Sequence, residues 1–170
     1  SDHNVDIYAA LETMISAKTP KPAKGIRGYR KDVRFAERIH PERNGRASGG
    51  IIANVKHSIA HSVSDFLCAI DSRYVVKMAL HAIGLVVIFI YLIPLTSMNV
   101  EVTDQRRFEL VTDAMDVASR TITTARRIGY DVCLMGDVNF RLGARTGDHG
   151  HSDIARALWE PWLETHTWCC

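Results

Sequence analysis

Charge of one sign is what this sequence has little of: 21 Lys and Arg stand against 19 Asp and Glu, a formal net charge of +2 over 170 residues. No global field marks the chain as a polyanion binder, and no large excess of either sign marks it as disordered. Cysteine is also sparse. Cys68, Cys133, Cys169 and Cys170 show no metal-ligand spacing, and the vicinal last pair is a poor disulfide. Zinc-ribbon and disulfide-scaffold classes are excluded, and reduced thiols in an intracellular setting, nuclear or organellar, are the expectation. Internal repeats and low-complexity tracts are missing as well. The first residues, SDHNVDIY, lack the basic start and apolar block of a secretory leader.

What is present has the balance of a globular protein, with 46% hydrophobic and 24% charged residues, and a length that suits a single domain over 1–170. The basic residues are unevenly spread. Ten Lys or Arg fall between positions 18 and 46, against three acids. Such a segment can meet phosphates, but a solvated loop is the simpler expectation, and three prolines and three glycines within 17–47 support it.

Residues 78–98, MALHAIGLVVIFIYLIPLTSM, carry no formal charge except a possible histidine proton. By length the segment could span a membrane. Two buried strands are favoured instead. His81-Ala82-Ile83-Gly84 interrupts the run, the residues after it are rich in Val, Ile and Phe, and Pro94 closes it. Strands are therefore expected at 74–80 and 85–91, as an antiparallel pair around Gly84. Others are expected at 5–11 and 51–55, with 57–65 a strand or turn. Phe108, Val111, Met115, Ala118, Ile122, Ala125 and Ile128 recur at steps of three and four, the signature of a helix with one apolar face. Thr103 or Asp104 suits its start, Arg126 and Arg127 its last turn, and Gly129 its stop. A strand at 131–135 follows, with Cys133 as a small core residue. A second helix over 152–163 is expected to bend or end early at Pro161.

The strand at 131–135 runs directly into Gly136-Asp137-Val138-Asn139, an acid and an amide two positions apart, which strand alternation would point to one face. Four segments together resemble the endonuclease/exonuclease/phosphatase superfamily, closest to the apurinic-type endonuclease domains of non-LTR retrotransposons. Asp6-Ile7-Tyr8-Ala9-Ala10-Leu11-Glu12-Thr13 is similar to its D-I-x-x-L-Q-E-T. Arg46-Ala47-Ser48-Gly49-Gly50-Ile51 is similar to R-x-G-G-[VI], and Tyr91-Leu92-Ile93-Pro94 to Y-x-P-P. Gly136-Asp137-Val138-Asn139-Phe140-Arg141-Leu142-Gly143 is similar to G-D-F-N-x-R-x-G. The segments occur in family order over 5–143, and the tail 144–170 is unassigned.

The resemblance implies an α/β fold: a two-sheet sandwich with helices on its outer faces. It implies phosphodiester hydrolysis with magnesium, a hard cation held by carboxylates and water. Glu12 would be the metal carboxylate. Asp137 would orient or deprotonate water, Asn139 would hold water or phosphate, and Tyr91 would donate to the scissile phosphate. Arg46 and Arg141 would bind substrate, with DNA as the partner. Each residue also has a plainer role: Glu12 as a solvated strand end, Asp137 and Asn139 as a turn, Tyr91 as a core aromatic.

The family pattern has parts that this sequence does not match. Only eleven residues precede Glu12, so the family's earlier asparagine strand has no counterpart. After Gly143 nothing supplies its later aspartate or its closing Ser-Asp-His; His149, His151 and His166 lie in other contexts. The resemblance therefore implies an incomplete sandwich, and catalysis is an open question. The alternative is a non-catalytic subunit of a larger assembly, with protein partners covering exposed sheet edges. Membrane association through 78–98 is not favoured.

Overall fold

In a computed structural model of the chain, residues 5–18, 26–39, 47–95, 105–139 and 153–166 are described. The fold is α/β, with two facing sheets and helices. Strands β1 (Ile7–Leu11), β2 (Tyr29–Arg34) and β3 (Ile51–Lys56) form an antiparallel sheet in the order β1-β3-β2. Strands β4 (Val63–Asp65), β5 (Val75–Leu80), β6 (Leu85–Tyr91) and β7 (Asp131–Asp137) form a second sheet in that order, with β7 parallel to β6. Between β6 and β7 runs helix α1 (Gln105–Arg127), and helix α2 (Asp153–His166) follows.

The apolar run at 78–98 is explained by burial on two sides. Strand alternation turns Val76, Phe89 and Tyr91 toward the three-stranded sheet, and Val75, Val86, Ile88 and Ile90 toward α1; all are at most 4% exposed. A strand covered on both faces needs no polar alternation, so its sequence reads as one hydrophobic block. Among the described residues, no helix is long and apolar enough to cross a membrane. The antiparallel pair turns at His81–Ile83 and Gly84, as expected. There His81 bridges Ser64 at 2.8 Å and Tyr130 at 3.0 Å, tying β4 to the residues before β7.

Helix α1 buries Val111, Met115, Ala118, Ile122 and Ala125, five of the seven positions of the expected face. Phe108 is half-buried, and Ile128 lies beyond the helix end and is 53% exposed. Its start at Thr103 or Asp104 lies outside the described residues. At the far end of α1, Gly129 has φ +81° and stops the helix. In β7, Gly136 lies so close to Ile90 that a Cβ there would overlap the Ile90 carbonyl oxygen. Cys133, expected in the core, is half-buried and packs against the core from its edge.

Two expectations are corrected. The basic segment 17–47 is not all loop, because β2 (sequence YRKDVR) lies within it. Its charges hid it: an edge strand can carry Arg and Lys because they discourage pairing with another chain. Tyr29 anchors it through a hydrogen bond to the Val5 carbonyl at 2.6 Å and an edge-on contact with Tyr8. Helix α2 also does not end early at Pro161 but continues to His166. The missing Pro161 N–H forfeits one helical hydrogen bond, but the α2 side chains compensate by docking on α1. Trp159 is buried, Trp162 Nε1 donates to Ser119 Oγ at 2.7 Å, and the Arg126 guanidinium donates to the His166 carbonyl at 2.7 Å.

His166 Nε2 lies 3.1 Å from the same Ser119 hydroxyl, which itself donates to the Met115 carbonyl. The hydroxyl proton is thus committed, and Nε2 carries the proton of the shared bond. Burial, and secondarily the Arg126 charge, hold the His166 pKa below its ordinary 6.5. The unfolded chain then binds the proton more readily, so this stabilisation is present above pH 6.5 and is lost as pH falls below it. We expect the thermal midpoint to fall between pH 7 and pH 5, and His166→Gln to make that fall shallower, as read by circular dichroism. An unchanged slope in the variant would assign the effect to other histidines.

Candidate active site

The ends of three strands meet at one place. β6 and β7 are parallel, so both finish at the same level, with Tyr91 directly beside Asp137. The Leu92 N–H donates to the Asp137 carbonyl at 2.9 Å and closes that end of the ladder. Opposite, in the facing sheet, β1 ends at Leu11 and the chain turns at Glu12, which has φ +51°. Asn139 has φ +49°. Left-handed backbone at a non-glycine residue is uncommon, and such strain is often stored at functional sites.

Glu12, Tyr91, Asp137 and Asn139 are brought together by this geometry. The Tyr91 ring is buried at 1% exposure, while its hydroxyl interacts with Glu12 and Asn139. Its pKa is pushed well above the ordinary 10, first by burial and then by the Glu12 charge and hydrogen bond; Asp137 adds a smaller push, and Asn139 opposes. The hydroxyl therefore stays protonated and serves as a donor. Among the described residues, neither Glu12 nor Asp137 has a cationic side-chain partner.

Alternation is not what joins Asp137 to Asn139. β7 ends at Asp137, and a tight turn follows in which the Asn139 N–H donates to Asp137 Oδ1 at 2.9 Å. Asn139 Nδ2 then reaches back to the Leu92 carbonyl at 2.8 Å. The plain reading as a turn is thus correct for the backbone, and that turn carries Asn139 to the Tyr91 hydroxyl. Arg46 and Arg141, the expected substrate contacts, lie outside the described residues.

The Gly49-Gly50 pair has a local reason. Gly49 has φ +79°, and a Cβ there would lie 2.6 Å from a Tyr74 ring carbon; Gly50 has φ +89°, and its Cβ would lie 2.6 Å from Thr13 Oγ1. The carbonyls of these glycines accept from Met14 and Thr13 at 3.0 and 3.1 Å, which fixes the turn at Glu12. Tyr74 was not singled out from sequence. It packs beside Tyr91 with ring centroids 6.4 Å apart, and its carbonyl accepts from the Tyr91 N–H at 2.9 Å. An aromatic directly across the strand pair from Tyr91 was the available signal. The Arg73 guanidinium lies 5.2 Å from the Tyr74 ring centroid and pairs with Glu37, and Arg34 pairs with Asp71 at 3.4 Å.

Among the described residues, no group of three or more His, Cys, Asp or Glu could hold a metal. Two carboxylates are available, Glu12 and Asp137. An oxygen-only set with few charges suits magnesium, which keeps several waters, and does not suit zinc. The class defined by fold and geometry is an α/β two-sheet protein with two acids, a tyrosine and an amide at its strand ends. The chain matches no protein-family model and no curated protein.

If both glycines hold the turn at Glu12, Gly49→Ala and Gly50→Ala should each cost about 1–3 kcal/mol of stability, from strained φ and overpacking. Urea denaturation measures this, and a loss below about 0.5 kcal/mol would contradict the close approach.

Proposed function

We propose that this chain is a divalent-metal-dependent phosphodiesterase that cleaves DNA. The observation that carries the reading is the Tyr91 hydroxyl, held between Glu12 and Asn139, with Asp137 beside it. Three segments far apart in sequence supply these groups, and oxygen acceptors and donors of this kind are what phosphodiester hydrolysis uses.

In this reading the raised pKa keeps Tyr91 a donor to a non-bridging phosphate oxygen, where charge builds in the transition state. Asp137 orients a water and takes its proton. Asn139, fixed by its bond to the Leu92 carbonyl, positions that water or the phosphate. Glu12 would hold magnesium, which supplies Lewis-acid stabilisation of the phosphate charge. DNA is the substrate implied by the resemblance, with Arg46 and Arg141 as its contacts.

A second reading has its own observation. No histidine among the described residues lies at the site: His166, on α2, is committed to Ser119 of α1, His81 lies at the opposite end of β6, and His57 and His61 follow the end of β3 remote from Glu12. A chain that keeps the cluster without an acid of that type could bind, as a subunit of a larger assembly, without cutting.

Nicking of supercoiled and abasic plasmid with magnesium separates the two. Active protein should lose activity with EDTA, and Asp137→Ala should abolish it. Tyr91→Phe should lower kcat about 10²-fold with KM little changed, as expected for a donor used in the transition state. Pure wild type that fails to nick with magnesium or manganese sinks the hydrolytic reading and leaves the binding one.

A further inference from the structure

We propose that the outer edge of β7 is a docking site for an extended segment of another protein, apolar at its centre and with Lys or Arg at both ends. The inference rests on the sheet itself and does not depend on the hydrolytic reading.

Two bonds set the phase of the β6–β7 ladder: Asp131 N–H to the Gly84 carbonyl at 2.8 Å, and Leu92 N–H to the Asp137 carbonyl at 2.9 Å. In a parallel ladder, alternate residues bond toward one neighbour. Asp131, Cys133, Met135 and Asp137 therefore turn their N–H and C=O groups to β6. Val132, Leu134 and Gly136 turn theirs to the opposite side, where no strand pairs among the described residues. Burial changes abruptly over this one step. Phe89, Ile90 and Tyr91 are 4%, 1% and 1% exposed, whereas their partners Met135, Gly136 and Asp137 are exposed, Met135 at 41%.

The other edges are better defended. β2 carries Arg30, Lys31 and Arg34, β4 has three residues, and β1 has five. β7 has seven residues, with no lysine and no proline. A long edge without such devices is a template for strand addition.

Charge selects the occupant. The charges of β7 are Asp131 and Asp137, exposed at its two ends. A second copy is disfavoured. Antiparallel pairing sets Asp131 opposite Asp137 of the copy, and parallel pairing sets each acid beside its own counterpart; like charges directly opposite destabilise. A foreign strand with cations at its first and seventh residues meets an acid at each end in either direction. Between them, its third and fifth residues lie beside Cys133 and Met135 and are expected to be apolar.

The probe is the peptide Lys-Thr-Val-Thr-Val-Thr-Lys, titrated into the full chain and followed by amide hydrogen exchange and by fluorescence anisotropy. Binding should slow exchange at Val132, Leu134 and Gly136, whose amides face outward, and leave Cys133 and Met135 at their existing ladder protection. A Glu-ended version should bind about tenfold more weakly at low salt, a gap that closes as salt rises. Val132→Pro removes an outward N–H and spares the β6 ladder, so it should weaken binding about tenfold, whereas Val132→Thr should not. Three results would overturn the proposal. They are protection of the outward amides in the free chain, equal binding of the two peptides, and a dimer of the free chain in which those amides are protected. The exchange pattern needs no variant, so a proline variant that fails to fold leaves the test intact.

Discussion

The parallel pairing of β6 with β7 is the constraint on which the rest depends. Parallel neighbours cannot be joined by a hairpin, so the chain must cross over, and α1 fills that crossover. Because the strands run in one direction, their C-terminal residues emerge side by side, and Tyr91 and Asp137 become neighbours without any contact between their local sequences. The apolar face of α1 covers one side of this pair, and the three-stranded sheet covers β6 on the other. Ligand sites outside the carboxyl ends of strands are a general property of such α/β arrangements. Here Glu12 completes the cluster from the facing sheet.

Much of this was legible from sequence, for identifiable reasons. The β5–β6 pair could be read because β-branched residues, a turn and a proline bounded the apolar run. α1 could be read because its apolar spacing matched the helical period. β2 could not, because an edge strand of alternating charge has the composition of a loop. Nor was the passage of α2 through Pro161 visible, since it depends on docking against Ser119 and Arg126, which are remote in sequence.

The candidate site was legible in its residue types and misjudged in its geometry. Asp137 and Asn139 stood out by spacing, yet a left-handed turn, not strand alternation, brings them together. Gly49-Gly50 was noticed as part of a motif, and its cause is the approach of Tyr74 and Thr13. Tyr74 itself carries no motif and was found only through its position across from Tyr91. Two buried hydroxyls here, on Tyr74 and Thr13, have no hydrogen-bond partner among the described residues. The left-handed backbone at Glu12 and Asn139 is the local strain at these strand ends.

Gly136 has a further consequence. The side chain it lacks would occupy the place of the Ile90 carbonyl oxygen. If β7 slid by one residue in either direction, Met135 or Asp137 would arrive at that spot with a Cβ, and every side chain of the strand would change face. The strand therefore has one permitted setting against β6. The carboxylate of Asp137 is indexed along the sheet by its neighbour, a residue whose contribution is the absence of an atom.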